Sequence, residues 1–513
     1  MAQSVVTSAP VRSALDPAAA DIQGLLRFAH GHLTEASFIL LRIADRDAAR
    51  AWLKAARVTN AVAVTPLPET ALQIAVTCGG LRQLGLGDDI IGGFSDEFIE
   101  GLSGNDNRSR RLGDIGENSP NEWRWGGPGR EPHLLIMLYA RSGRLTAFAD
   151  TVMGGSWSAA FTPMEVLTTT ARERARGFSR EPFGFADGIS QPDIDWQLSL
   201  QPKQTVFAYR NRAALGEFVL GYPNEYGNYT DRPLLEPGAD PNNLLPQAQD
   251  DPGKRDLGRN GSFLVLRDLQ QDVRGFWQYL EGQAKALGLQ PQELAESMVG
   301  RTLSGKPLVP LSEQPIPGVD SDDNLNRFAF DGDRFGSACP LGAHIRRANP
   351  RNADMPGGES GPMTQLIRTL GFGTTGPRDD LIASARFHRL LRRGRSYGAS
   401  LSGDEALGSG SPGEELGLRF VCLNANISRQ FEFIQNAWIS STKFGGLTGE
   451  SDPLLGNRQP VAGCPVTADF SMPQPSGAPL RLRKLPQFIR VRGGAYFFLP
   501  GLAALRYIAS VGG

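Results

Sequence analysis

The sequence is short of histidine, with five in 513 residues, and of cysteine, with four; its 53 lysines and arginines against 54 aspartates and glutamates leave a net charge of −1. So even a balance offers no global field for nucleic acid or an anionic membrane, and any electrostatic function has to come from local patches. No apolar run approaches the roughly 20 residues that a membrane-crossing helix needs. Cys78, Cys339, Cys422 and Cys464 stand far apart without a CxxC pair, which argues against a structural zinc site or disulfide framework and fits a reducing compartment. The start, MAQSVVTSAPVRSALDPAAADIQG, has neither a basic stretch leading into an apolar core nor a twin arginine. A cytoplasmic protein is expected, with residues 1–20 as a disordered segment.

The length exceeds what one hydrophobic core usually supports, so two large units are expected. Strand-like apolar runs alternate with helix-period segments, and they do so twice. SFILLRIA leads into DRDAARAWLKAARV, where Asp45 can cap a helix; ALQIAVTC and HLLIMLYA then read as strands. In the second half SFLVLRDL leads into QQDVRGFWQYLEGQAKALG, where Val273, Phe276, Trp277 and Leu280 recur at helical spacing before a glycine stop. LGLRFVCLNA, NISRQFEFIQNAWISS and GAYFFLP repeat the strand, helix, strand order. The fold class expected is α+β, with two βαββαβ units, each an antiparallel sheet with helices on one face. The units expected are 21–245 and 246–513, meeting within the Pro- and Asn-rich stretch LLEPGADPNNLLPQAQDDPGKRD.

Three segments carry chemistry. CPLGAHIRRANPRN, from Cys339 to Asn352, places His344 after small apolar residues and before Arg346, Arg347 and Arg351. The histidine is either a satisfied structural residue or a ligand: a neutral imidazole can bind haem iron while guanidinium groups take the propionates. Cys339 before Pro340 is a rival thiolate ligand, and the dipeptide recurs at Cys464–Pro465. PFGFADGISQP sets Asp187 among glycines and aromatics. It is either an ordinary Asp-Gly turn or a dry carboxylate beside a bulky cofactor, able to accept a proton in acid solution where a histidine base is already charged. RFHRLLRRGRSYG reads mainly as a solvated helix face, with Arg392 able to turn inward before Gly394; His388 reads as a surface residue, and His30 and His32 as structural.

Taken in order, GFADG, CPLGAHIRRANPRN and RLLRRG resemble the motif segments of dye-decolourising peroxidases. DIQG near the start and GGAYFFLPGL near the end are similar to those of the longer bacterial members. The likeness runs from about Asp21 to Tyr507. It implies a pair of ferredoxin-like domains, with the GFADG segment in the first and one haem b in the C-terminal one. It implies His344 as iron ligand, Asp187 as distal acid–base residue and Arg392 as distal arginine, with Arg393 as the alternative register. Arg351 would meet a propionate, Glu432 would be the acidic group orienting the ligand histidine, and Leu418 and Phe420 would line the distal face. The implied activity uses hydrogen peroxide to oxidise dyes, phenols and other one-electron donors through a ferryl porphyrin-radical state. Donors too bulky to enter would deliver electrons at the haem edge or through a tryptophan or tyrosine such as Trp157, Trp196, Trp277, Trp438 or Tyr397. The expected partners are peroxide, aromatic donors and a second copy of the chain, with no nucleic acid and no membrane. The alternative is a non-catalytic haem-binding, haem-delivery or iron-release protein.

Overall fold

The computed structural model describes residues 16–170, 179–200, 211–310, 325–351, 384–399, 401, 403–408, 414–460, 467–474 and 476–511. Its centre is a nine-stranded sheet, antiparallel throughout. In chain order the strands are β1 (Glu35–Ile43), β2 (Thr70–Val76), β3 (Leu134–Ala140), β4 (Phe161–Thr168), β5 (Ser262–Gln271), β6 (Leu391–Arg392), β7 (Arg395–Tyr397), β8 (Gly417–Asn424) and β9 (Ile489–Leu499). The spatial order β6-β8-β5-β9-β2-β3-β1-β4, with β7 also on β8, contains the same arrangement twice. In each half the first strand lies inside, with the last strand on one flank and the next-to-last on the other. This is the α+β, doubled ferredoxin-like architecture expected, and the halves join edge to edge where Phe498 pairs with Val76.

Local chemistry explains the two long helices. In α1 (Arg46–Ala55) the Asp45 carboxylate accepts the Ala48 N–H at 2.7 Å, and Ala49, Trp52 and Leu53 are buried. In α2 (Val273–Leu287) Asp272 caps the Gly275 N–H, while Phe276, Trp277 and Leu280 are buried and Gly288, at φ 70°, ends the helix. Each such large side chain contributes about 1.5–3 kcal/mol of burial energy.

Strand register decides which residues can meet. Opposite partners share a face, so Val265, Cys422 and Tyr496 lie on one side of the sheet and Leu266, Val421 and Ala495 on the other. A slip of one residue would exchange the two sets. Because Arg392 pairs with Cys422, it shares a face with Phe420 and Leu418, whereas Leu391, opposite Leu423, packs into the other core.

RFHRLLRRGRSYG departs from its sequence reading. It is a short 3-10 turn, Ser384–Phe387, followed by β6 and β7, and two of its arginines, Arg389 and Arg395, are buried. Arg393 Nε donates to Leu25 O and its Nη2 to Leu26 O, while Arg395 Nη2 donates to His30 O and Leu33 O. Pairing with β8 overrides the helical spacing, and the run anchors the N-terminal segment instead of facing water. Part of the stretch expected to be disordered is also structured: Asp16–Ala19 is helical and Ala19 is buried. Residues 1–15 lie outside the described set, as does Cys464. No helix among the described residues is long and apolar enough to cross a membrane.

Candidate active site

His344 begins α3 (His344–Ala348), a single turn that follows the small residues Gly342 and Ala343. Its Nδ1 lies 2.9 Å from Oδ2 of Asp452, a carboxylate with no solvent exposure. The other oxygen, Oδ1, accepts the N–H groups of Leu454 and Leu455 at 2.9 and 2.8 Å. Burial pushes the Asp452 acid up, but the imidazole, the Leu455 N–H and Arg347 outweigh it and hold the acid below its ordinary range. An ionised Asp452 draws the ring proton to Nδ1 and leaves Nε2 with the lone pair a metal needs.

Asp187 ends a short strand, Ala186–Asp187, that pairs with Ser179–Arg180. The intervening loop folds around Glu181, whose carboxylate accepts the N–H groups of Phe183 and Phe185, both at 3.0 Å, and Gln271 Nε2 at 2.8 Å. Gly188 has φ +88°, and a Cβ there would have nothing within 4 Å, so the turn needs glycine and open space adjoins Asp187. Arg392 comes up beside it from β6. Its backbone N–H donates to Gln191 Oε1 at 3.0 Å, its Nη2 donates to Ser190 O at 3.1 Å, and Nη1 stands 3.5 Å from Asp187 Oδ1.

Arg301 approaches the Asp187 side. Its Nη2 donates to Ser190 Oγ at 2.7 Å, close to Asp187, and a Cβ on the preceding Gly300 would press on Ile345, the neighbour of His344. Burial first, then the like charges of Arg351 and Arg392, pull the Arg301 guanidinium down to about 9. Three cations within electrostatic reach of one another in a largely buried region attract an anion.

No family model matches the chain. It is 29% identical to a dye-decolorizing peroxidase of Mycetinis scorodonius over 467 residues, covering 88% of this chain and 78% of that protein. Among solved structures it resembles the dye-decolorizing peroxidase of Auricularia auricula-judae, with 25% identity and a TM-score of 0.69 over 96% of this chain and 100% of that one. The fold is also shared with a dye-decolorizing peroxidase solved in complex with 2,6-dimethoxyphenol, at 24% identity and TM-score 0.68, covering 96% and 99% of the two chains. Over most of its length the chain is thus similar in sequence and in fold to dye-decolourising peroxidases.

Members of the dye-decolourising peroxidase family are haem enzymes, and the residues present fit that group. An imidazole with Nδ1 engaged suits its need for a ligand, and the positive charge gathered at Arg301, Arg351 and Arg392 suits its anionic propionates. The structure brings Asp187 and Arg392 together and puts Leu418 and Phe420 on the Arg392 face of β8.

Other expectations change. Glu432 does not meet His344; it accepts Arg108 Nε at 2.7 Å and the Tyr496 hydroxyl at 3.0 Å, and the acid on the histidine is Asp452. Arg393, the alternative register, faces the opposite side of the sheet from Arg392. Arg351 is buried, with Nη1 donating to the carbonyls of Asn326 and Phe328 and Nη2 to Asn326 Oδ1. Arg346 and Arg347 bind Asp333 and main-chain carbonyls. Burial raises the Cys339 thiol, which disfavours the thiolate a metal would require. His388 is no surface residue: it stacks on Phe433 at 3.6 Å, and burial lowers it to about 4. Trp157, Trp277, Trp438 and Tyr397 are buried, whereas Tyr226, which the sequence did not single out, is 47% exposed and stacks on Phe387.

Proposed function

We propose that the chain uses hydrogen peroxide to oxidise phenols, dyes and other bulky one-electron donors, with one haem b held by His344. The observation that carries this reading is the Asp187–Arg392 pair together with the His344–Asp452 dyad, in a chain similar to dye-decolourising peroxidases over 88% of its length. Haem iron, when bound, supplies the coordination position for peroxide and the two electrons that its O–O bond takes up.

The side chains do the rest. His344 would bind iron through Nε2, while Asp452 fixes the ring and raises its basicity through Nδ1–H. Arg301 and Arg351 supply positive charge for the propionates, with Nη1 and Nη2 of Arg351 held by Asn326 and Phe328. Asp187 moves the proton. Its Oδ1 is held by the Gly188 N–H and lies beside Arg392, so Oδ2 is the oxygen that takes the proton of peroxide and returns it to the departing oxygen. Arg392 keeps a fixed positive charge beside that transfer and stabilises the negative charge developing on the leaving oxygen. Leu418 and Phe420 narrow the chamber and exclude water.

A chamber sized for peroxide does not admit a dye, so bulky donors give up electrons from outside it. The phenol complex of the structural relative supports phenols as one donor class. The free, buried thiols of Cys78, Cys339 and Cys422 support a reducing, cytoplasmic setting.

Rapid mixing of the haem-loaded protein with peroxide and 2,6-dimethoxyphenol tests the reading. Peroxide-dependent oxidation of the phenol is expected. Slow bleaching without donor oxidation would assign the chain to haem carriage instead.

A further inference from the structure

The segment bearing Asp452 is gripped by two guanidinium groups, that of Arg347 buried and that of Arg458 half-buried. Arg347, on the same turn as His344, donates Nη2 to Glu450 O at 2.6 Å and Nη1 to Trp438 O and Ser441 O at 2.7 and 2.9 Å. Arg458 takes the other side. Its Nη1 donates to Ser451 Oγ at 2.9 Å and Asp452 O at 3.0 Å, its Nη2 to Pro453 O at 2.7 Å and its Nε to Pro486 O at 3.3 Å. Burial draws both arginines down to about 10, against the opposing pull of the Asp452 charge. Enclosing a cation in order to bind main-chain carbonyls is costly, and what it provides here is a fixed turn.

That turn decides where one carboxylate points. With Oδ1 tied to Leu454 and Leu455, Oδ2 can reach His344 only if residues 451–453 keep their place. We propose that Arg458 is a positioning residue for the dyad: its fork on the 451–453 turn holds Asp452 against His344 Nδ1 and thereby sets the electron-donating power of that imidazole toward iron. This rests on the haem reading given above.

The sign of one measurement separates positioning from simple charge. If the fork places Asp452, its loss weakens the carboxylate–imidazole bond, the ligand becomes less basic, and the iron reduction potential moves in the positive direction. If Arg458 acts only as a nearby positive charge, its removal leaves Asp452 more negative and moves the potential the other way. Arg458→Met is therefore expected to shift the potential of the haem-loaded protein positively. Arg458→Lys, which keeps the charge and loses the fork, shifts it the same way, and it carries the test if the methionine variant fails to fold. In an Asp452→Asn background neither substitution adds a further shift. A negative shift, no shift, or equal shifts in both backgrounds would overturn the proposal. A second readout needs no haem. In the full-length haem-free protein, exchange of the His344 Nδ1 proton, followed by NMR, should quicken roughly tenfold in either Arg458 variant. An unchanged rate sinks the clamp even if His344 proves to bind no iron, and failure of iron ligation with the faster exchange sinks only the haem reading.

Discussion

Arg392 Nη1 stands 3.5 Å from Asp187 Oδ1, although β6 and the GFADG turn are far apart in sequence. Asp187→Ala should slow the reaction with peroxide by on the order of 10²–10⁴-fold, the range for a lost proton shuttle. Arg392→Leu should slow it as well by removing the charge beside that shuttle. Arg393→Leu should leave it near the wild-type rate and lower thermal stability, because Arg393 binds the Leu25 and Leu26 carbonyls. Stopped-flow absorbance and a melting curve check the three; equal peroxide rates in Asp187→Ala and wild type contradict the shuttle.

Asp452 and Glu432 are both buried acids, and only Asp452 touches the histidine. Asp452→Asn should move the iron reduction potential in the positive direction. Glu432→Gln should leave it in place and destabilise the fold by up to about 3–5 kcal/mol, the cost of breaking a buried ion pair, here with Arg108. Spectroelectrochemistry and denaturant unfolding of both variants separate the roles.

Cys339 is the rival ligand on the same segment, and burial keeps its thiol protonated. Cys339→Ser should leave the visible spectrum of the haem-loaded protein unchanged. A displaced Soret band in that variant would put sulfur on the iron.

Glu181 gives a pH signature. Burial is the main cause that raises it from 4.5 to about 7 in the folded chain, with the Asp187 charge adding to the shift. Between those values the folded state binds more protons than the unfolded one, so this group's contribution lowers stability as pH rises through the window, and the penalty is complete above about 7. The shift corresponds to about 3 kcal/mol at most, and to less because the residue is only partly enclosed. Glu181→Gln should flatten the dependence of the unfolding midpoint between about pH 4.5 and about pH 7. Identical slopes for variant and wild type would show that Glu181 does not titrate there.

Much of this was legible in the sequence where the signal is local. Asp45 and Asp272 announce helix starts, and alternating apolar strands give the doubled βαββαβ order. RFHRLLRRGRSYG was misread because arginines at mixed spacing suit a helix face or a strand equally, and only the pairing of Arg392 with Cys422 chooses. Asp452 escaped notice because it lies 108 residues from His344, and Glu432 was preferred although its partner Arg108 lies 324 residues away. Arg301 sits in an unremarkable VGRTLSG stretch, and its meaning comes from the like charges that the fold gathers around it.

The proposed peroxidase chemistry stands on His344 Nε2 as the ligand of haem iron. An absorbance spectrum of the haem-reconstituted wild type beside His344→Ala tests it most directly. A Soret band typical of histidine-ligated ferric haem is expected in the wild type, and its loss or displacement in the variant. Indistinguishable bands in the two proteins, or no band in either, would contradict it.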